Sequence, residues 1–412
     1  MAQMNLLFVS TRFPFPIDSG GKIRSTQILR ALQGGAFRVQ LAAPRAAGWD
    51  GRFRANLAQV CDEFLGWGEN SLTRIARRWR ALQLASSLPV PVATDRSESG
   101  RAVIRDALSR NVDLVVFDFP HSAVLAPPQI KQPAVLFTHN VEAEIFRRHA
   151  EVASQPLLRA VWRSQWRKMA AFERSVMSRF DRIIAVSARD AAHFEEHYGV
   201  RDVAVIRTGV DLEFFSYAPP SYAPRVVFTG SMDWLANVDG IEFFMSDVWP
   251  AIQQDLRQAH MTVVGRDPPA HLVARAKERV TNWEFTGFVD DVRPFVRRSG
   301  VFVIPLRVGG GTRLKAYEAM AMGCPVVSTT IGVEGLPLVD GQHFLRADTP
   351  QEIAAAVVRV ATDPELARRL SRQARRLVED EFSFRCAGAD FESICLAALA
   401  ARAPNGAISQ VG

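Results

Sequence analysis

Twice along the 412 residues, a series of short apolar runs alternates with longer helical patterns, and a proline-rich stretch without periodicity, Ala218 to Pro224, separates the two series. The first series holds Asn5 to Ser10, Val39 to Ala43, Leu114 to Phe117, Val135 to Thr138, Ile183 to Val186 and Val203 to Arg207. The second holds Arg225 to Thr229, Met261 to Val264, Trp283 to Thr286, Val301 to Pro305 and Pro325 to Ser328, with helical patterns such as Asp239 to Ile252 between them. Short runs apolar on both faces, spaced by helix-length segments, are buried parallel strands joined by crossovers. The expected fold is therefore α/β: two Rossmann-like, doubly wound parallel-sheet domains facing a central cleft, with ligands at strand C-terminal ends. The reading places an N-terminal domain over 1–215, a second over 216–385, a C-terminal helix over 386–404 that returns to the first domain, and a flexible tail over 405–412.

One segment joins a phosphate-binding loop to an acid. Gly309-Gly310-Gly311 follow the apolar run Val301 to Leu306 and lead into a helix opened by Thr312, with Arg313, Lys315 and Glu318 in its first two turns. Glycines let backbone approach an anion, a helix N-terminus supplies unpaired N–H groups, and Arg313 and Lys315 add two cations, so the set suits a diphosphate. Glu318 can accept hydrogen bonds from both hydroxyls of a ribose. The segment reads as a nucleotide site.

Charge is unevenly spread. Of the net +7, residues 1–205 carry 28 basic and 19 acidic side chains, whereas the remainder carries 22 and 24. No nucleic-acid module is recognisable, so no nucleic acid is expected, and an anionic membrane surface fits the basic half better. Two stretches have the pattern of interfacial helices: Leu72, Ile75, Trp79 and Leu82 among Arg74, Arg77, Arg78 and Arg80, and Leu158, Val161, Trp162 and Trp166 among Arg159, Arg163, Arg167 and Lys168. Trp79 and Trp162 or Trp166 are the residues expected to insert. No apolar run reaches the roughly 18 to 20 residues of a membrane span, and Cys61, Cys324, Cys386 and Cys395 lack C-x-x-C spacing and read as buried thiols. The expected location is cytoplasmic, with peripheral attachment to the inner face of the membrane.

From Arg12-Phe13-Pro14-Phe15-Pro16-Ile17-Asp18-Ser19-Gly20-Gly21 to the glutamate segment around Glu318, the chain resembles the family 4 retaining glycosyltransferases of the GT-B fold, especially the bacterial exopolysaccharide and exosortase-associated sugar transferases. The resemblance implies that the Gly20-Gly21 loop reaches the donor diphosphate and acceptor, with Arg24 a nearby cation. It implies that His139, in Thr138-His139-Asn140-Val141-Glu142, contacts the donor sugar, and that backbone near Val289 holds the base. Gly230 opens the second-domain loop where the family carries an arginine and then a lysine; here Ser231 or Met232 and Asn237 stand near those places. Where the family has the first of two glutamates, this chain has Gly310, and Arg313 and Lys315 are read as the compensating cations. Asp290 and Asp291 lack a D-x-D arrangement, and Asp290 reads as a helix cap. Glu142 reads as a first-turn acid of the following helix.

The implied activity is metal-independent, retaining transfer of a sugar from a nucleotide-diphospho-sugar to a glycan or lipid-linked acceptor, without a cofactor, in cell-surface glycan synthesis. His139, Arg313 and Lys315 are the expected catalytic residues. Gly20, Gly21, Gly230, Val289, Gly310, Gly311, Thr312 and Glu318 are the expected donor-binding residues. Two alternatives stay open: a non-catalytic nucleotide-sugar sensor or partner subunit, and a nucleotide-sugar 2-epimerase on the same scaffold.

Overall fold

A computed structural model describes residues 3–17, 20–46, 53–68, 80–152, 155–207, 209–279, 282–308 and 314–402. The chain divides into two units, Met1–Arg207 with Arg385–Gly412, and Thr208–Phe384.

The first unit is built on seven parallel strands: β1 (Met4–Val9), β2 (Phe37–Pro44), β3 (Glu63–Trp67), β4 (Leu114–Asp118), β5 (Ala134–Phe137), β6 (Arg182–Ala185) and β7 (Ala204–Val205). Their order is β3-β2-β1-β4-β5-β6-β7. Leu7 and Val9 enter the core on one face of the sheet and Leu6 and Phe8 the core on the other, all 0% exposed. That two-sided burial is why β1 reads as a continuous apolar run rather than an alternating one. The C-terminal helix Phe384–Arg402 packs Phe391 and Cys395 into this second core, and Glu392 accepts the Ala36 N–H at 2.6 Å. Arg207 grips Asp390 with two bonds of 2.9 Å.

The second unit has six parallel strands: β8 (Arg225–Thr229), β9 (His260–Val264), β10 (Trp283–Phe285), β11 (Val301–Ile304), β12 (Val326–Ser328) and β13 (Leu345–Arg346), in the order β10-β9-β8-β11-β12-β13. Val301 and Val303 face one core, Phe302 and Ile304 the other. In both sheets the order reverses beside the first strand, between β1 and β4 and between β8 and β11. Such switch points open a crevice at the strand C-terminal ends. β3, edge-like and only part-buried, and the two-residue β13 carry too little apolar signal to read from sequence.

Candidate functional site

In the second unit, Lys315 and Glu318 sit on the helix Leu314–Ala321, one turn apart. Gly309 to Arg313, including Gly310, Gly311, Thr312 and Arg313, lie outside the described residues. The Lys315 ammonium lies 4.1 Å above the Phe228 ring and donates to Asn237 Oδ1 at 3.1 Å. Asn237 is buried and donates from Nδ2 to the Ser231 carbonyl at 2.7 Å, so it bridges the lysine to the loop after β8. Gly230 makes room for this: a Cβ there would come within 2.8 Å of both Lys315 Nζ and Asn237 Nδ2. Lys315 therefore reaches the Asn237 position, where the resemblance places the family's lysine. Lys315, read from sequence as a compensating cation, meets Asn237 through the β8–β11 neighbourhood, a contact that sequence spacing does not show.

Arg266, at the end of β9, reaches the same loop. It donates to Ser231 Oγ at 2.9 Å and to Asp233 at 3.1 Å. Glu318 is part-buried, and burial pushes its carboxyl up to about 7 against the pull of Lys315. Val289 is half-buried beside Phe288, whose ring is 73% exposed after β10. The cap read at Asp290 is not formed: the N-cap of the helix Arg293–Arg297 is Val292, and Asp291 accepts the Arg293 N–H at 2.9 Å and pairs with its guanidinium. Asp291 is placed one residue nearer the short helix Arg293–Arg297, and the Arg293 hydrogen bonds hold its carboxyl below the ordinary range.

In the first unit a small pocket, the polar pocket after its charged groups, opens at the ends of β1 and β4, with polar walls from Ser10, Arg12, Lys22, Ser25, Asp118 and His121 and apolar ones from Phe8, Leu29, Leu41 and Phe119. Asp118, 2% exposed, accepts from His139 Nε2 at 2.7 Å, from Ser25 Oγ at 2.9 Å and from Ser10 Oγ at 3.3 Å. A bond to the carboxylate makes Nε2 the proton-bearing nitrogen of a neutral His139, leaving Nδ1 as an acceptor without a partner. Burial lowers the imidazole pKa, and Asp118 opposes that shift. The His139 side chain is 1% exposed because the Phe119 ring stacks on it, centroids 3.8 Å apart and planes 6° from parallel. Phe119 takes φ +68°, an unfavourable region for a bulky residue, and its ring end lies 2.5 Å from where a Cβ on Gly21 would be. Gly21 thus accommodates an aromatic ring, while the added Cβ at Gly20 would meet open space. Arg24 is drawn down to about 10 by burial, with Asp190 and Asp118 opposing.

Glu142 stands in the first turn of the helix Glu142–Val152, as read, but its side chain is buried. Its carboxyl is pushed up to about 6 by burial and stands 3.7 Å from His121 Nε2. The N-terminus of helix Glu142–Val152 is satisfied by Glu173, which accepts the N–H groups of Glu142 at 2.9 Å and Ala143 at 3.2 Å. His121, which no sequence motif marks, walls the pocket. Burial lowers its pKa to about 4, and its Nε2 has no hydrogen-bond partner.

The two basic stretches fare differently. Residues 69–79, with Leu72, Arg74, Ile75, Arg77, Arg78 and Trp79, lie outside the described residues. The helix Pro156–Met177 exposes Leu157 at 80% and Leu158 at 43%. Trp162 stacks on His149 at 4.7 Å and Trp166 packs against the core, so neither tryptophan is offered for insertion as sequence periodicity led one to expect. Arg159, Arg163, Arg167 and Lys168 line one shallow surface on this helix with no acid among the lining residues. Lys168 donates to the carbonyls of Leu84 and Ser86 at 2.8 and 2.6 Å, which brings the residues following the first stretch against the second. No helix of the described residues is long and apolar enough to cross a membrane.

Two doubly wound parallel sheets, each with a switch point beside its first strand, are the architecture of a class that the sequence comparisons identify. The signature of Glycosyltransferase Family 4 matches residues 20–214, and that of Glycosyl transferases group 1 matches residues 223–363. The chain belongs to the family 4 glycosyltransferases, and its two units have the GT-B fold. It is 26% identical over 295 residues to glycogen synthase of Mycobacterium tuberculosis, a match covering 68% of this chain and 66% of that protein, just under two thirds of its length. Among solved structures, sucrose-phosphate synthase from Thermosynechococcus elongatus superposes with a TM-score of 0.69 at 17% identity, covering 97% of this chain and 100% of that one. HepE of Anabaena, solved in complex with UDP and glucose, superposes with a TM-score of 0.60 at 16% identity, covering 95% and 99%.

Proposed function

We propose that the protein is a metal-independent, retaining glycosyltransferase that moves a sugar from a nucleotide-diphospho-sugar to a hydroxyl of a glycan or lipid-linked acceptor, in exopolysaccharide or other cell-surface glycan synthesis. The observation that carries this reading is the Lys315 ammonium, on the helix that also bears Glu318, hydrogen-bonded to Asn237 of the helix Leu235–Phe243, which follows the loop after β8. In the proposal Lys315, with Arg313 and the Gly310-Gly311-Thr312 backbone, stabilises the diphosphate as it leaves. Side-chain cations then neutralise the developing charge, and the step draws on preorganised electrostatics. Glu318 accepts the ribose hydroxyls, the backbone near Val289 holds the base, and the exposed Phe288 ring offers it a stacking face. In this reading the Phe119 ring moves off His139, which then meets the sugar through Nδ1, the buried nitrogen that Asp118 leaves unbonded. Attack by the acceptor on the face the diphosphate leaves retains the anomeric configuration. The HepE complex with UDP supports a uridine nucleotide as the first donor to try.

The protein works in the cytoplasm, and Leu157, Leu158 and the arginines beside them attach it to the anionic inner face of the membrane. A second reading, a non-catalytic nucleotide-sugar sensor, draws on the complete cover that Phe119 lays over His139. Release of nucleotide diphosphate from a panel of nucleotide sugars, without acceptor and then with glycan acceptors, tests the two. Slow hydrolysis accelerated by an acceptor supports the transferase. Tight donor binding with no turnover under any acceptor replaces it with the sensor.

A further inference from the structure

A groove on the first unit, apart from the polar pocket, runs between helix Glu98–Leu108 and the C-terminal half of helix Pro156–Met177, floored by the 3-10 turn Pro120–Leu125 and the residues after it. Arg96, Arg101, Arg105 and Arg179 line it, and none of the described residues lining it is acidic. Two of these cations are held by neutral groups: Arg101 donates from Nε and Nη2 to the Val124 carbonyl at 3.1 and 2.9 Å, and Arg179 from Nη2 to the Pro127 carbonyl at 2.7 Å. Carbonyls orient a guanidinium without cancelling its charge. Among the described residues Arg101 has one ion pair, with Glu98, whose carboxylate is 83% exposed and well screened. Arg96 and Arg105 form no ion pair among the described residues. Burial alone lowers the Arg179 pKa, with no carboxylate opposing it.

Between the arginines the floor is apolar, with Leu88, Val124, Leu125, Pro127 and Pro128 in the lining. Oriented guanidinium forks match phosphate oxygens two at a time, and an apolar strip beside them suits an alkyl chain. We propose that this groove binds the diphosphate of a lipid-linked acceptor, with the first isoprene units on the apolar floor. The 3-10 turn is a shared wall: His121 faces the polar pocket and Val124 and Leu125 face the groove. At about 2 Å of rise per residue, the six-residue turn spans on the order of 12 Å. A sugar attached to a diphosphate seated in the groove is therefore close enough to present a hydroxyl at the pocket. The role as acceptor site rests on the transferase reading, whereas binding of the lipid diphosphate does not.

The test is calorimetry on the full chain with the nucleotide site filled by UDP, using inorganic pyrophosphate and geranyl diphosphate as probes, and repeated without UDP. Geranyl diphosphate is expected to bind at least tenfold more tightly than inorganic pyrophosphate. R96Q combined with R105Q, two exposed positions that hold no backbone group, is expected to weaken both probes at least tenfold and leave UDP affinity unchanged. Equal binding of both probes to parent and double variant overturns the site. Equal affinity of the two probes for the parent overturns the lipid and leaves a site for free pyrophosphate. Loss of UDP binding by the parent refutes the nucleotide reading, and the effect of the double variant on the probes still decides the groove.

Discussion

The ammonium of Lys315 hydrogen-bonds the side-chain carbonyl of Asn237 at 3.1 Å across 78 residues of sequence, and Asn237 in turn holds the loop that follows β8. A neutral amide orients the ammonium without cancelling its charge, and Glu318, one turn further on, lies within that charge's field.

Lys315→Ala is accordingly expected to weaken nucleotide diphosphate binding at least tenfold, on the scale of about 1.5 to 3 kcal/mol for a hydrogen bond to a charged group. Asn237→Ala, which leaves the ammonium in place but unguided, should cost less. Calorimetry with UDP measures both. Affinity unchanged in Lys315→Ala removes this helix from the donor site.

Glu318 is expected to give donor binding a pH dependence. Its carboxyl is raised to about 7, and ribose hydroxyls donate to the ionised form, so UDP affinity should rise as pH increases through 7 and fall below it. Glu318→Gln should bind more weakly at pH 8 and show a flat profile between pH 6 and 8. A profile as steep in the variant as in the parent assigns the titration to another group.

His139→Ala should fold, bind UDP with nearly parental affinity and transfer sugar far more slowly, because the imidazole belongs to the unit that does not hold Lys315 and Glu318. Asp118→Asn should lower turnover as well, since the amide no longer fixes the tautomer that His139 shows. Parental turnover in folded His139→Ala leaves the histidine as a core residue stacked on Phe119.

Buried Glu173, whose carboxyl burial raises from 4.5 to about 8, links stability to pH. Below its unfolded value both states are protonated. As pH rises the unfolded chain loses the proton first, so the stability this group confers is full below about 4.5 and is lost as pH passes through about 8. Glu173→Gln removes that slope, and its Tm relative to the parent should improve steadily from pH 5 to 9. A constant difference in Tm across that range contradicts the assignment. Tyr198, which donates to Glu173 at 2.8 Å, is unchanged in this comparison.

Vesicle sedimentation checks the membrane face. Leu157→Ser with Leu158→Ser should abolish the salt-resistant part of binding to anionic vesicles, and Arg159, Arg163 and Arg167 changed together to Gln should abolish the salt-sensitive part. Parent protein that stays in the supernatant at low salt shows that this helix face is only solvated.

Periodicity alone determined the two α/β series, because strands buried on both faces leave continuous apolar runs such as Leu6 to Val9 and Val301 to Ile304. The residue types of the Gly309 to Glu318 segment raised the expectation of a nucleotide site, since glycine, cations and an acid near a helix start carry their chemistry locally. Tertiary structure decided the rest. Asp118 and His139 meet because β4 and β5 are neighbours, Lys315 finds Asn237 because the strand order reverses beside β8, and Trp162 and Trp166 turn inward where helical spacing left two faces open. Glu173, far along the chain, closes the N-terminus of helix Glu142–Val152. Sequence spacing records which residues share a local face, but hydrogen bonds, burial and the resulting pKa shifts depend on which strands become neighbours, and that is set by packing of the whole sheet.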